Sequence, residues 1–230
     1  MNNKECWPTA RAATACVAAL FAMTLTSANA QTTPSGRQIA TEGTSNGVAA
    51  CIGCHGASGQ GTAAAGFPRL AGLSAEYLDA QLSAFADGSR ESAVMQPLAK
   101  SMTGPERSEV ARYFSSLPAP ENIRTSDSSD PEPSDTGAWL ATRGRWEAGL
   151  PACGQCHGPG GAGVGSVFPS LAGQPASYIE AQLHEWKAGG RPPGPLALMP
   201  AVASKLSDAD IHAVAVYYAN PAQISEKTAK

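Results

Sequence analysis

The sequence predicts an all-α protein made of two tandem copies of one small domain, and three observations carry that expectation. Apolar residues recur at helical spacing, and no stretch shows the alternation of a strand pair. Helix-start signatures stand at matching places in the two halves. Most of the chain also aligns with itself: Gly36–Gly43 with Gly137–Gly144, Phe67–Gly72 with Phe168–Gly173, and Tyr77, Gln81, Leu82 and Phe85 with Tyr178, Gln182, Leu183 and Trp186.

The first thirty residues read as a secretory signal peptide. Lys4 and Arg11 precede an apolar run from Ala12 to Leu25, and Ala28-Asn29-Ala30 supplies small residues for cleavage. That run of fourteen residues falls short of the ~20 that a membrane-spanning helix needs. The mature chain is therefore expected to begin at Gln31 and to be exported to the periplasm without spanning the membrane.

Copy one covers residues 31–117. Gly36 to Gly43 opens it as a short helix, and Ser74 caps a second helix with Leu78, Leu82 and Phe85 at i, i+4, i+7. A capping box, Thr103-x-x-Glu106, starts a third, with Val110, Tyr113, Phe114 and Leu117 on its apolar face. Residues 118–136 are rich in Pro, Ser, Asp and Glu and carry too little apolar surface to offset ordering, as in a flexible linker. Copy two, 137–230, repeats the pattern with Ile179, Leu183 and Trp186, the box Ser207-x-x-Asp210, and a face of Ile211, Val214, Ala215 and Tyr218.

The chemistry is concentrated in Cys51-Ile52-Gly53-Cys54-His55 and its repeat, Cys153-Gly154-Gln155-Cys156-His157. C-x-x-C-H is the spacing of a c-type haem attachment site. Two cysteines on one helical turn can form thioethers to the haem vinyl groups, and the next residue, histidine, can ligate the iron from below. With Cys6 and Cys16 removed in the signal peptide, these four thiols are the only ones left. Cys51, Cys54, Cys153 and Cys156 are thus assigned to two covalently bound haem c groups, with His55 and His157 as iron ligands. Zinc is the competing reading, but each motif supplies three ligands with no nearby fourth.

The spare ring N–H of each histidine needs an acceptor, and the carbonyls of Pro68 and Pro169 stand at a suitable spacing. The distal ligand follows by elimination. The mature chain holds Met95, Met102 and Met199; Met95 and Met199 lie equally far ahead of the caps Thr103 and Ser207. Met102 aligns with Leu206 and reads as a core residue and hydrophobic staple. Met95 and Met199 are therefore the expected distal ligands, and His184 and His212, whose repeat counterparts are Ser83 and Ser108, are expected on the surface. Iron closed on both faces by protein has no position left for a substrate, so an electron carrier is expected and not an enzyme. A two-haem peroxidase would need one haem to lose its distal ligand.

Composition agrees. The net charge is −3 with no basic run, which argues against nucleic acid as a partner. Aromatics make up 6% of residues against 24 glycines and 18 prolines, a composition suited to small helical domains whose core is completed by a prosthetic group.

The haem motifs, Phe-Pro-x-Leu-Ala-Gly, Tyr-x-x-x-Gln-Leu, and Met199 ahead of Leu206-Ser207-Asp208-x-Asp210-Ile211 resemble class I cytochrome c domains. As a tandem pair they are similar to the two-haem cytochrome c4 family. That resemblance implies a periplasmic carrier of single electrons, reduced by a membrane quinol-oxidising complex and oxidised by a terminal oxidase or another periplasmic protein. The alternative is the electron-accepting cytochrome subunit of a periplasmic dehydrogenase. The chain departs from the family in its longer linker and in Pro192-Pro193-Gly194, which lengthens the loop ahead of Met199.

Overall fold

The computed structural model describes residues 33–119 and 132–220. The signal peptide read at 1–30, residues 120–131 of the linker and the tail from 221 lie outside the described residues. Regular structure among the described residues is helical, with isolated bridges and no strand. The first half holds α1 (Gly36–Glu42), α2 (Ile52–His55), α3 (Ala75–Asp87), α4 (Met95–Ser101) and α5 (Gly104–Ser116). The second repeats the order as α6 (Thr136–Thr142), α7 (Cys153–His157), α8 (Ala176–Ala188), α9 (Leu198–Ala203) and α10 (Asp208–Ala219).

Local chemistry sets the helix starts. The Ser74 hydroxyl accepts from the Tyr77 amide, and both capping boxes, Thr103–Glu106 and Ser207–Asp210, are formed in both directions. A third box, Ser35–Gln38, starts α1. Each side-chain cap satisfies an otherwise orphaned amide and contributes about 1 kcal/mol.

Each half has its own core. Ile39, Leu78, Val110 and Phe114 pack together in the first, and Leu140, Ile179, Leu183, Ile211 and Val214 in the second. The first helix of each half crosses the last so closely that only glycine fits the crossing. A Cβ on Gly36 would collide with the Glu109 carbonyl, and one on Gly137 with the Ala213 carbonyl.

Met95 and Met199, ahead of the last helix of each half, fall in the first turns of the short helices α4 and α9. Pro97 and Pro200 follow them within those first turns, where the missing N–H breaks no helical bond. Met102 is core, as expected, but forms no staple. The residue it would clasp is Arg107, whose guanidinium donates to the Met102 carbonyl at 2.7 Å.

Candidate cofactor cavity

The short helices α2 and α7 each bring a C-x-x-C-H motif to the wall of a cavity. His55 Nδ1 lies 2.8 Å from the Pro68 carbonyl oxygen, and His157 Nδ1 lies 2.8 Å from that of Pro169. A carbonyl can only accept, so each Nδ1 carries the proton and each Nε2 keeps its lone pair. Burial pushes both imidazoles below their ordinary pKa, although the proline carbonyls oppose that shift. Both rings are therefore neutral near pH 7 and oriented as ligands. Phe67 and Phe168 flank them, with ring centroids 6.1 Å and 6.0 Å away.

The cavity measures about 490 Å³ and is lined by both halves. Cys51, Cys54, His55 and Met95 border it from one side, Cys153, Cys156, His157 and Met199 from the other. All eight candidate site residues thus line the same space. No disulfide joins the four cysteines, and before any attachment burial pushes the Cys51 and Cys153 thiols up to about 11. Met102 and its repeat counterpart Leu206 also border the cavity, but as buried core residues. Among the described residues no three His, Cys, Asp or Glu side chains converge as a zinc ion would require. His184 and His212 lie on the surface, their side chains 50% and 72% exposed.

Sequence reasoning missed the polar seam where the halves meet beside this cavity. Arg90 donates to Tyr178 at 3.2 Å and also to Gln182. Arg191 reciprocates, donating to Tyr77 at 3.0 Å and to Gln81 at 3.1 Å. Each guanidinium lies over an aromatic ring of its own half, Arg90 over Phe85 at 4.4 Å and Arg191 over Trp186 at 3.9 Å. Arg69 crosses the seam to the Ser170 hydroxyl and the Ala172 carbonyl, both at 3.0 Å. Gln174 returns across it to the Arg69 backbone. One signal was present in the sequence: Arg90 and Arg191 occupy the same repeat position, each just after the helix carrying its Tyr-x-x-x-Gln pair.

These residues fit haem. The walls are mostly apolar, all four thiols and both histidines line them, and cations border the space. The Nε atoms of Arg69 and Arg90 are buried with no protein partner, so the cavity edge offers donors suited to the carboxylates of a porphyrin.

A duplicated C-x-x-C-H helix opening onto an apolar cavity defines a protein of the covalent-haem class with two centres. Residues 36–117 match the family described as Cytochrome c, and residues 138–217 match Cytochrome C oxidase, cbb3-type, subunit III. The chain is 49% identical over 178 residues to the thiosulfate dehydrogenase electron acceptor of Thiomonas intermedia, covering 75% of this chain and 78% of that protein. It is 35% identical over 172 residues to cytochrome c4 of Pseudomonas aeruginosa, covering 74% and 83%. Among solved structures, a thiosulfate dehydrogenase (TsdBA) from Marichromatium purpuratum superposes with a TM-score of 0.72 at 45% identity. The match takes in 80% of this chain but only 39% of that longer one. The chain belongs to the cytochrome c family, in the two-haem group that includes cytochrome c4. It is a two-haem electron carrier with covalently bound haem c.

Proposed function

We propose that the chain is the electron-accepting cytochrome of a periplasmic dehydrogenase that oxidises thiosulfate or a related small sulfur anion. The axial pairs in this reading are His55 with Met95 and His157 with Met199. The likeness to electron acceptors of thiosulfate dehydrogenase carries the choice of partner. The ligand pairs rest on the matched first turns of α4 and α9, which bring Met95 and Met199 to the cavity that the two histidines border.

Each haem, when bound, supplies a one-electron Fe(III)/Fe(II) couple, and a thioether opposite imidazole favours the reduced form. The chain's own residues do the rest. Pro68 and Pro169 hold the imidazoles in the ligating tautomer, the apolar walls exclude water, and Arg69 and Arg90 would hold the acidic edges of the cofactors through their unpartnered Nε atoms. In this reading His55, Met95, His157 and Met199 would leave no iron position for a substrate, and the chain would pass electrons without chemistry of its own. No helix among the described residues is long and apolar enough to cross a membrane. The signal peptide read from the sequence at 1–30 supports a periplasmic setting for this carrier.

Stopped-flow mixing of the oxidised protein with a thiosulfate dehydrogenase and thiosulfate tests the reading. Reduction of both haems within enzyme turnover is the expected result. The likeness to cytochrome c4 favours a second reading, a general carrier between a quinol-oxidising membrane complex and a terminal oxidase. Rapid reduction by the quinol-oxidising complex, with none by the dehydrogenase, would select it.

A further inference from the structure

The hydrogen bond that orients His55 does not end at Pro68. The carbonyl that accepts from His55 Nδ1 belongs to the same peptide unit as the Arg69 N–H. That N–H donates to Gln174 Oε1 at 3.0 Å, while Gln174 Nε2 donates to the Arg69 carbonyl at 2.9 Å. Gln174 belongs to the other half of the molecule and is itself buried, 4% exposed. The result is a continuous relay, His55 imidazole to Pro68–Arg69 peptide to Gln174 side chain, that crosses the seam.

The second half has no mirror image of this relay. His157 is held by Pro169 in the same way, but the repeat counterpart of Gln174 is Leu73, whose alkyl side chain can accept nothing. The proximal ligands are thus matched in their first partner and differ in the second.

We propose that Gln174 is a positioning residue for the first haem, lowering that haem's potential relative to the second from the opposite domain. The physical step is polarisation. An acceptor on the peptide N–H draws electron density towards the carbonyl oxygen, which then accepts more strongly from Nδ1–H. The imidazole gains basicity, and a more basic ligand favours Fe(III). Because Gln174 reaches His55 only when the halves are docked, the first haem's potential also reports on docking. The inference rests on His55 ligating the first haem, as proposed above.

The test uses the two-haem protein carrying Gln174→Met, which keeps length and bulk but removes the acceptor, together with the Nε2 donor to the Arg69 carbonyl. Each haem is followed by its own NMR signals during a redox titration. The first haem's Fe(III)/Fe(II) ratio at fixed potential is expected to fall about threefold, an upward shift of roughly 30 mV at 59 mV per decade. The second haem should hold still, and the His55 Nδ1–H resonance of the reduced protein should move upfield. Merely loosening the seam would admit water and lower both potentials, so a fall at both haems overturns the proposal, as does no change at either. Gln174→Glu is the second variant; its stronger acceptor should lower the first potential more than the second, and a rise there would also overturn the idea. The reduced-state spectrum judges the underlying site separately: if His55 ring protons lack the large upfield shift of an axial ligand, the ligand assignment fails whatever Gln174 does.

Discussion

Leu196 and Ala197, three and two residues ahead of the proposed ligand Met199, adopt left-handed backbone angles with φ of 56° and 51°. For a residue with a Cβ this conformation costs about 1–2 kcal/mol, against the 0.5–1 kcal/mol that glycine's extra unfolded-state freedom takes away. Ala197→Gly is therefore expected to raise stability slightly, by up to about 1 kcal/mol, in denaturant melts of the two-haem protein. The methionines divide more sharply. Met95→Ala should abolish the ferric sulfur-to-iron charge-transfer absorption at the first haem, whereas Met102→Ala should keep it and lower stability by about 2–5 kcal/mol as a core truncation. If Met102→Ala removes that absorption instead, the ligand assignment is wrong. The residues with local signatures were legible in the sequence, since C-x-x-C-H and the proline acceptors depend only on short spacings. Gln174 was not, because its partners lie in the other half and nothing nearby in the chain marks them.

At the scale of elements, the helix starts were readable because a cap is a contact within four residues. Helices α4 and α9 were not, since each is under two turns long and is preceded by Val94 or Ala197, neither of which offers a side-chain cap. Two consequences can be measured. Gly36→Ala and Gly137→Ala each force a methyl group into the backbone of the last helix of their half, and each is expected to cost about 1–3 kcal/mol. Asp210 caps α10 and also pairs with Arg145 at 2.9 Å. The Arg145 hydrogen bond leads the forces that hold its carboxyl at about 2, below the ordinary 3.8. A carboxyl depressed by folding stabilises above its unfolded value and loses that contribution as pH falls from about 3.8 to about 2. Thermal melts from pH 5 to 2 should show this loss in the native protein, and a shallower slope over that window in Asp210→Asn.

The whole molecule is joined by buried arginines that meet hydroxyls, amides and carbonyls across the seam. Burial pushes Arg69 down to about 10, so it still carries its proton near pH 7, and its charge is solvated by the groups of the opposite half. Arg69→Ala leaves those acceptors buried and unmatched, at a cost of about 1–3 kcal/mol. A protease site placed between residues 120 and 131 provides the direct test of the seam. After cleavage the two halves are expected to co-elute on size exclusion, and to separate at lower denaturant in Arg69→Ala. Two beads joined only by a flexible linker would separate at once. The repeat was legible in the sequence, but the arrangement of its copies was not, because the pairing of seam residues exists only once both halves have folded.

The reciprocity of that seam says something about descent. Arg90 reaches Tyr178 and Gln182 while Arg191 reaches Tyr77 and Gln81, each contact answered by its equivalent, which is the form of an isologous dimer interface. A homodimer of one such domain could make these contacts before any gene fusion. It could not make the pairing of Arg69 with Ser170, which occupy one repeat position, because every change in a homodimer is made twice and would set guanidinium against guanidinium. Joining the copies in one chain is what allowed the two proximal environments to diverge, and so allowed an ancestor with two identical centres to become a protein in which they differ.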